Sequence, residues 1–197
     1  MYGPFPGARP AGLRRRSLPA GTELWRIDGS DPAVWDWGGF PTTRFRFDPA
    51  SGAFRVRYAG TSIVGAAREK YLDTGRLIPA DHAKKHLVHL IATRPIKVVD
   101  LRTQANLEAL DVDDRVNTSH EDLVWEACHR LADAMPRWWA ELDGIAYRSR
   151  TTPRASMNVA FFSLDGFEIE ASRELDTFVN ELDELVLHHQ FTIAFPY

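Results

Sequence analysis

Three arginines, a tyrosine, a glutamate and a serine sit in unusual surroundings in this 197-residue chain. Arg26 interrupts the apolar run Leu24-Trp25-Arg26-Ile27, and Arg44 and Arg46 alternate with Phe45 and Phe47. On a strand, that alternation would send both arginines off one face. Tyr58 closes the run "AFRVRY", Glu69 rides in the small and apolar stretch "TSIVGAARE", and Ser149 ends "GIAYRS". Guanidinium groups on strands can hold phosphates bidentately. A serine hydroxyl can hold a ribose hydroxyl, and a carboxylate can stabilise positive charge on a sugar. Taken singly, each position has a better ordinary reading: surface arginines, a rim tyrosine, a solvated glutamate, a turn serine. Spacing alone does not join them into a site.

The elements that would position these residues are legible as patterns. "ELWRI" (23–27) reads as a strand, and Asp31-Pro32 opens a helical turn carrying Val34, Trp35 and Trp37. "TRFRF" (43–47) alternates as a strand; a turn at 48–52 then leads into a second period-2 strand, "AFRVRYAG" (53–60). Residues 61–72 read as a helix with Thr61 or Ser62 as N-cap. Two strand-like runs flank Arg94-Pro95 within 86–103, and a short helix follows with Thr103 as its cap. The clearest helix is 119–135, capped by Thr118 or Ser119, with Leu123, Val124, Ala127, Cys128, Leu131 and Ala134 as its stripe. Strands are expected at 143–149 and 157–163, a helix at 176–189 and a terminal strand at "FTIAF". Residues 1–20, rich in Pro, Gly and Arg, read as an extended N-terminal arm, with Arg14-Arg15-Arg16 a solvated charge run and 21–197 one domain. Short strands mixed with helices, without βαβ spacing, predict an α+β fold.

Composition narrows the function classes. Hydrophobic content of 44% with 26% charged residues is that of an ordinary globular domain, and a net charge of −3 argues against direct nucleic acid binding. The single cysteine, Cys128, excludes an internal disulfide and suggests a reducing compartment. No apolar run is long enough for a membrane helix, and "SLPAGTELW" follows the arginines where a signal peptide needs an apolar segment. A cytoplasmic location is expected, with no membrane partner. Metal patterns fail: His120-Glu121 starts like HExxH, but the second histidine position is Val124. His82, His86 and His89 would share a face only on a helix, and "HLVHLIA" reads better as a strand. "DVDD" (111–114) lacks the glycine and distal glutamate of a calcium loop, so no metal is expected. Cys128 lies on a helix stripe and reads as core.

The order of four blocks resembles the RES-domain family, named for an arginine, a glutamate and a serine. The blocks are "LWRI", "RFRFDP" where the family has a "GRFDP"-like segment, "YAGTSIVGAAREKY" and "DGIAYRSR", spread over about residues 22–165. The resemblance implies a single domain around a mixed, mostly antiparallel sheet with flanking helices, similar to ADP-ribosyltransferase toxins. It implies NAD+ as substrate, cleaved at the nicotinamide–ribose bond, with water, inorganic phosphate as co-substrate, or a protein side chain as acceptor. It further implies a toxin neutralised by a cognate antitoxin, of Xre type; homo-oligomerisation is left open. Phosphorylase or glycohydrolase activity leads, with ADP-ribosyltransferase as the enzymatic alternative. A non-enzymatic nucleotide- or partner-binding module is the rival of another class.

By that resemblance Arg26 is the family's first arginine, Arg46 the arginine of "GRFDP", Tyr58 its strand-end tyrosine, Glu69 its glutamate and Ser149 its serine. Glu69, Ser149 and Arg26 are thus the catalytic candidates; Arg26, Arg46, Tyr58 and Arg44 are the NAD+-binding ones. Phe45 stands where the family usually has glycine, and Arg44, two residues from Arg46, is a second candidate for the same anion. A further basic stretch, 148–154, follows Ser149.

Overall fold

The computed structural model describes residues 3, 5–71, 73–149 and 157–197. Among these residues, ten strands and five α-helices follow one another as β1 (Arg15–Leu18), β2 (Glu23–Asp28), β3 (Arg57–Gly60), α1 (Ile63–Tyr71), β4 (Leu77–Ile78), β5 (His86–Ala92), β6 (Ile96–Asp100), α2 (Gln104–Ala109), α3 (Arg115–Thr118), α4 (Asp122–Trp138), β7 (Gly144–Arg148), β8 (Met157–Phe161), β9 (Phe167–Glu174), α5 (Val179–His189) and β10 (Thr192–Ile193). Eight strands form one sheet in the order β1-β6-β7-β8-β3-β2-β5-β9, and β10 pairs with β4 in a small parallel sheet. Within the large sheet only β6–β7 is parallel. The fold is α+β, a mostly antiparallel sheet with flanking helices.

Each face of the sheet buries its own cluster. On one, Val124, Cys128, Leu131 and Met135 of α4 pack on Val99, Ile145 and Ala160. On the other, Trp35 shares a buried cluster with Leu24, Val88, Leu90, Val159 and Phe161. A third cluster seats α1 and α5 against the β2–β5 end, joining Ile63, Ala67 and Tyr71 to Ile27, Leu87, Leu182 and Leu185. Helix α1 comes close because Gly65, Ala66 and Ala67 are buried with little or no side chain between helix and sheet. The Ser62 hydroxyl accepts from the N–H of Gly65 at 3.0 Å, so Ser62 caps it as its sequence position suggests.

One gap in the sheet positions the site. β2 pairs with β5 over its whole length, but meets β3 at the single position Trp25–Gly60. Beyond that point the two strands part, and Nη1 of Arg26 spans the gap to the carbonyl of Tyr58 at 2.8 Å.

Several sequence expectations are corrected. Residues 43–47 are not a strand: Asp48 Oδ2 accepts from the N–H groups of Arg44 and Phe45 at 2.8 and 2.9 Å, folding the segment into a turn. Arg44 and Phe45 are therefore exposed while Arg46 and Phe47 are buried, in place of the alternation a strand would give. Of 53–60, only Arg57–Gly60 is strand. Within the stretch read as an arm, Arg15–Leu18 is an edge strand on β6, and Arg15 and Arg16 pair with Glu141 and Asp100. Helix α4 begins at Asp122, and Leu123 of its expected stripe is 70% exposed. Strand β9 was not anticipated, although Phe167, Ile169 and Ala171 alternate with polar residues.

Candidate active site

The gap between β2 and β3 opens into a cleft of about 580 Å³. Its walls carry six basic side chains, Arg26, Arg44, Arg46, Arg55, Arg57 and Lys70, against two acidic ones, Asp48 and Glu69. A chain of net charge −3 has thus concentrated positive charge in one concavity, the arrangement of an anion site.

The turn 44–48 is pinned from several sides. The N–H of Phe47 donates to the Tyr58 hydroxyl at 2.8 Å, and the Phe47 ring packs edge-on against Tyr147 with centroids 5.1 Å apart. The Phe45 carbonyl lies 3.0 Å from Nε2 of His129 on α4. Arg46 is only 8% exposed as a residue, and its side chain is consequently held in place. Its Nη1 donates to the Val116 carbonyl at 3.1 Å, and its charge stands 5.7 Å from the Trp125 ring centre. Among the described residues it has no carboxylate partner. Arg44 lines the same cleft with an exposed side chain.

Arg26 is differently employed. Its Nε contacts Asp28 at 2.5 Å while its Nη1 holds the Tyr58 carbonyl, and Arg57 reaches the same Asp28 oxygen at 3.3 Å. Both guanidiniums stand over Trp35, 5.7 and 4.9 Å from its ring centre. Burial raises the Asp28 pKa, but the charges of Arg26 and Arg57 and the N–H of Ser30 outweigh it and hold the carboxyl below its ordinary range. Burial pushes the Arg57 pKa down, with Asp28 offsetting part of the effect. Loss of hydration, Lys85 and Arg26 likewise depress that of Lys70.

Glu69 lies on α1 and Ser149 just beyond β7, and the Ser149 hydroxyl donates to Oε1 of Glu69 at 2.7 Å. Ser149 is 3% exposed, whereas the carboxylate is open to the cleft. Tyr147, two residues before Ser149, also lines the cleft; burial, reinforced by the charge of Glu69, holds its phenol above the ordinary range. Burial and the charge of Asp48 do the same for Tyr58. Both phenols remain protonated at neutral pH.

All six sequence candidates therefore converge: Arg26, Arg44, Arg46, Tyr58 and Glu69 line the cleft, and Ser149 is bonded to Glu69. Sequence reasoning missed Asp28, Arg57, Lys70, Trp125, Tyr147 and Asn158. Arg57 carried a signal, since "FRVRY" alternates arginine with apolar residues. Of the basic stretch after Ser149, residues 150–154 lie outside the described residues.

Rival chemistries find less support. Ser172, His86 and Asp31 come together, but the Ser172 hydroxyl donates directly to Asp31 at 2.6 Å, with His86 Nδ1 3.2 Å from Ser172 Oγ. A nucleophilic serine needs the imidazole between itself and the acid, so this trio is a structural tie. The Cys128 thiol is fully buried and its pKa is pushed up to about 12, which keeps it an inert thiol. Among the described residues no group of three or more His, Cys, Asp or Glu is placed to hold a metal ion. No helix among them is long and apolar enough to cross a membrane.

Comparison with known proteins places this site in a family. The model of the RES domain matches residues 23–181, most of the chain and every cleft residue named above. The chain belongs to the RES-domain family. A solved structure similar to this RES chain is that described as the M. tuberculosis MbcT–MbcA toxin–antitoxin complex, with a TM-score of 0.56 and 14% identity. The match covers 81% of this chain and 86% of that one, and at this identity it supports the fold. A search of curated proteins gave no match.

Proposed function

We propose that this RES chain consumes NAD+ by breaking the bond between nicotinamide and ribose, and that it is the toxin of a toxin–antitoxin pair. The observation that carries the reading is Glu69, oriented by Ser149 at the wall of a cleft otherwise dominated by cations. A dinucleotide matches that division of charge: its pyrophosphate suits the arginines, and its reacting ribose becomes positive as the bond breaks.

Leaving-group departure gives the bond's electron pair to the pyridinium nitrogen, which becomes neutral, and leaves oxocarbenium character on the sugar. Because nicotinamide leaves as a neutral base, no strong general acid is required. A carboxylate about 4 Å from the developing charge contributes roughly 4 kcal/mol at an effective dielectric near 20. That corresponds to about a thousandfold in rate. An acceptor oxygen, from water or from inorganic phosphate, then attacks the sugar carbon; water loses a proton in doing so.

Arg46 is the preorganised phosphate ligand, a guanidinium fixed beside Trp125 with no carboxylate to neutralise it among the described residues. Arg44, exposed on the same turn, can reach the anion but is not held for it. Arg26, bonded to Asp28 and Tyr58, keeps the β2–β3 gap open and adds positive potential. The likeness to a toxin–antitoxin complex, together with the lethality of uncontrolled NAD+ loss, supports a protein antitoxin as partner. Acidic groups on that antitoxin would suit the cation-lined cleft.

The test is incubation of the purified chain with NAD+, with and without inorganic phosphate, and identification of products by mass spectrometry. Release of nicotinamide is expected. ADP-ribose in both conditions marks a hydrolase, and its 1-phosphate in phosphate buffer a phosphorylase. Intact NAD+ after prolonged incubation would overturn the reading.

A further inference from the structure

At the floor of the cleft lies an amide that nothing in the fold uses. Asn158 is 1% exposed and lines the cleft, yet among the described residues neither its Nδ2 nor its Oδ1 has a hydrogen-bond partner. The Tyr147 hydroxyl is its polar neighbour, but no hydrogen bond of ordinary length and angle joins them. Buried side-chain amides are almost always bonded, and one left with both atoms idle points to a ligand that completes them.

Register places this amide beside the chemistry. On β8, Asn158 stands opposite Tyr147 of β7 and opposite Gly60 of β3. Tyr147 is the phenol that feels the charge of Glu69. Gly60, itself a cleft residue, leaves room over the amide: a Cβ there would meet Asn158 Oδ1 at 3.3 Å and the N–H nitrogen of Ala66 at 3.1 Å. The missing side chain keeps the oxygen's approach clear.

We infer that Asn158 recognises the carboxamide of the nicotinamide leaving group and makes the site selective for the amide over the acid. The inference rests on the NAD+ reading above. A carboxamide presents one donor and one acceptor side by side, the complement of the two idle atoms of an asparagine. It is also attached to the ring that leaves, so the bond acted on by Glu69 and the group read by Asn158 lie within one ring of each other. A carboxylate in its place has no donor for Oδ1 and sets an anionic oxygen against its partial negative charge. A site built to hydrogen-bond a substrate group rejects the analogue that lacks it.

The experiment compares kcat/KM for NAD+ and for nicotinic acid adenine dinucleotide in the wild-type chain, Asn158→Ala and Asn158→Asp. Wild type is expected to prefer NAD+. In Asn158→Ala, kcat/KM for NAD+ should fall roughly ten- to hundredfold while that for the acid changes little, so the preference collapses by the same factor. Removing two unsatisfied groups should leave the alanine variant well folded. The aspartate variant preserves volume and should also lose activity on NAD+, without gaining any on the acid. An unchanged preference in folded Asn158→Ala that still consumes NAD+ would overturn the inference and leave the NAD+ reading standing. A wild-type chain that leaves NAD+ intact would bring down both.

Discussion

Ser149 Oγ donates a 2.7 Å hydrogen bond to Glu69 Oε1 across a separation of 80 residues. This contact fixes which way the exposed carboxylate faces. A hydrogen bond to a charged group is worth about 1.5–3 kcal/mol. Ser149→Ala should therefore lower kcat for NAD+ roughly ten- to hundredfold with little change in KM. Steady-state assays on the folded variant check this; a change confined to KM would assign Ser149 to ground-state binding.

Glu69→Gln keeps side-chain volume and removes the charge. Turnover should drop by about a thousandfold, the factor corresponding to one carboxylate beside an oxocarbenium. The position is solvent-exposed, so the melting temperature should hardly move. In bacteria, expression of the wild-type chain alone should arrest growth. The variant should be harmless and still bind the antitoxin, because on the proposed reading the arginines supply the anchoring charges. Growth arrest by a folded Glu69→Gln would refute the assignment.

Arg46→Ala should raise KM for NAD+ at least tenfold, since the proposed contact to the pyrophosphate would be made in ground and transition states alike. Lysine should restore only part, because it lacks the planar fork that donates to Val116 and could hold a phosphate at the same time. Arg44→Ala should change KM by less than Arg46→Ala. Isothermal titration with NAD+ in the slow Glu69→Gln background separates these effects from chemistry. Equal losses at the two arginines would contradict the ranking.

Asp28→Asn removes the carboxylate between Arg26 and Arg57. Breaking a buried pair in this way costs about 3 kcal/mol at neutral pH. The sign of its pH dependence follows from the depressed Asp28 pKa. Stabilisation is present above the ordinary aspartate value of 3.8 and disappears as pH falls through the lower folded-state value. Denaturation of wild type and variant should thus differ at pH 7 and converge as pH falls through that lowered folded-state value. A difference that persists unchanged in acid would show that charge is not the cause.

Tyr58→Phe deletes the acceptor of the Phe47 N–H. An unsatisfied buried donor costs about 1–3 kcal/mol, and here the cost falls on the turn that carries Arg46. Stability should drop by that amount and KM for NAD+ should rise in step. Hydrogen exchange at the Phe47 amide is the direct readout, and unaltered protection would exclude the bond as the turn's anchor.

By itself, the sequence marked many of the local elements and the candidate groups of the site. Apolar periodicity marked α4 and the strands around Arg94-Pro95, and the Ser62 cap and small residues of α1 were readable because they act over a few positions. Four separated blocks were enough to single out Arg26, Arg46, Glu69 and Ser149. Tertiary structure decided what those groups do to one another. Whether 43–47 forms a strand depended on Asp48 capturing two backbone N–H groups, which overrode the alternation of Arg and Phe. Whether Arg15–Leu18 was arm or strand depended on β6, some eighty residues away, offering its edge. That Arg26 would be committed to Asp28, that Arg46 would stand without a carboxylate among the described residues, and that Asn158 would be left unsatisfied depend on which groups the fold brings together in space. Pairwise spacing along the chain carries no record of such encounters, because hydrogen-bond partners and burial are set by neighbours in space.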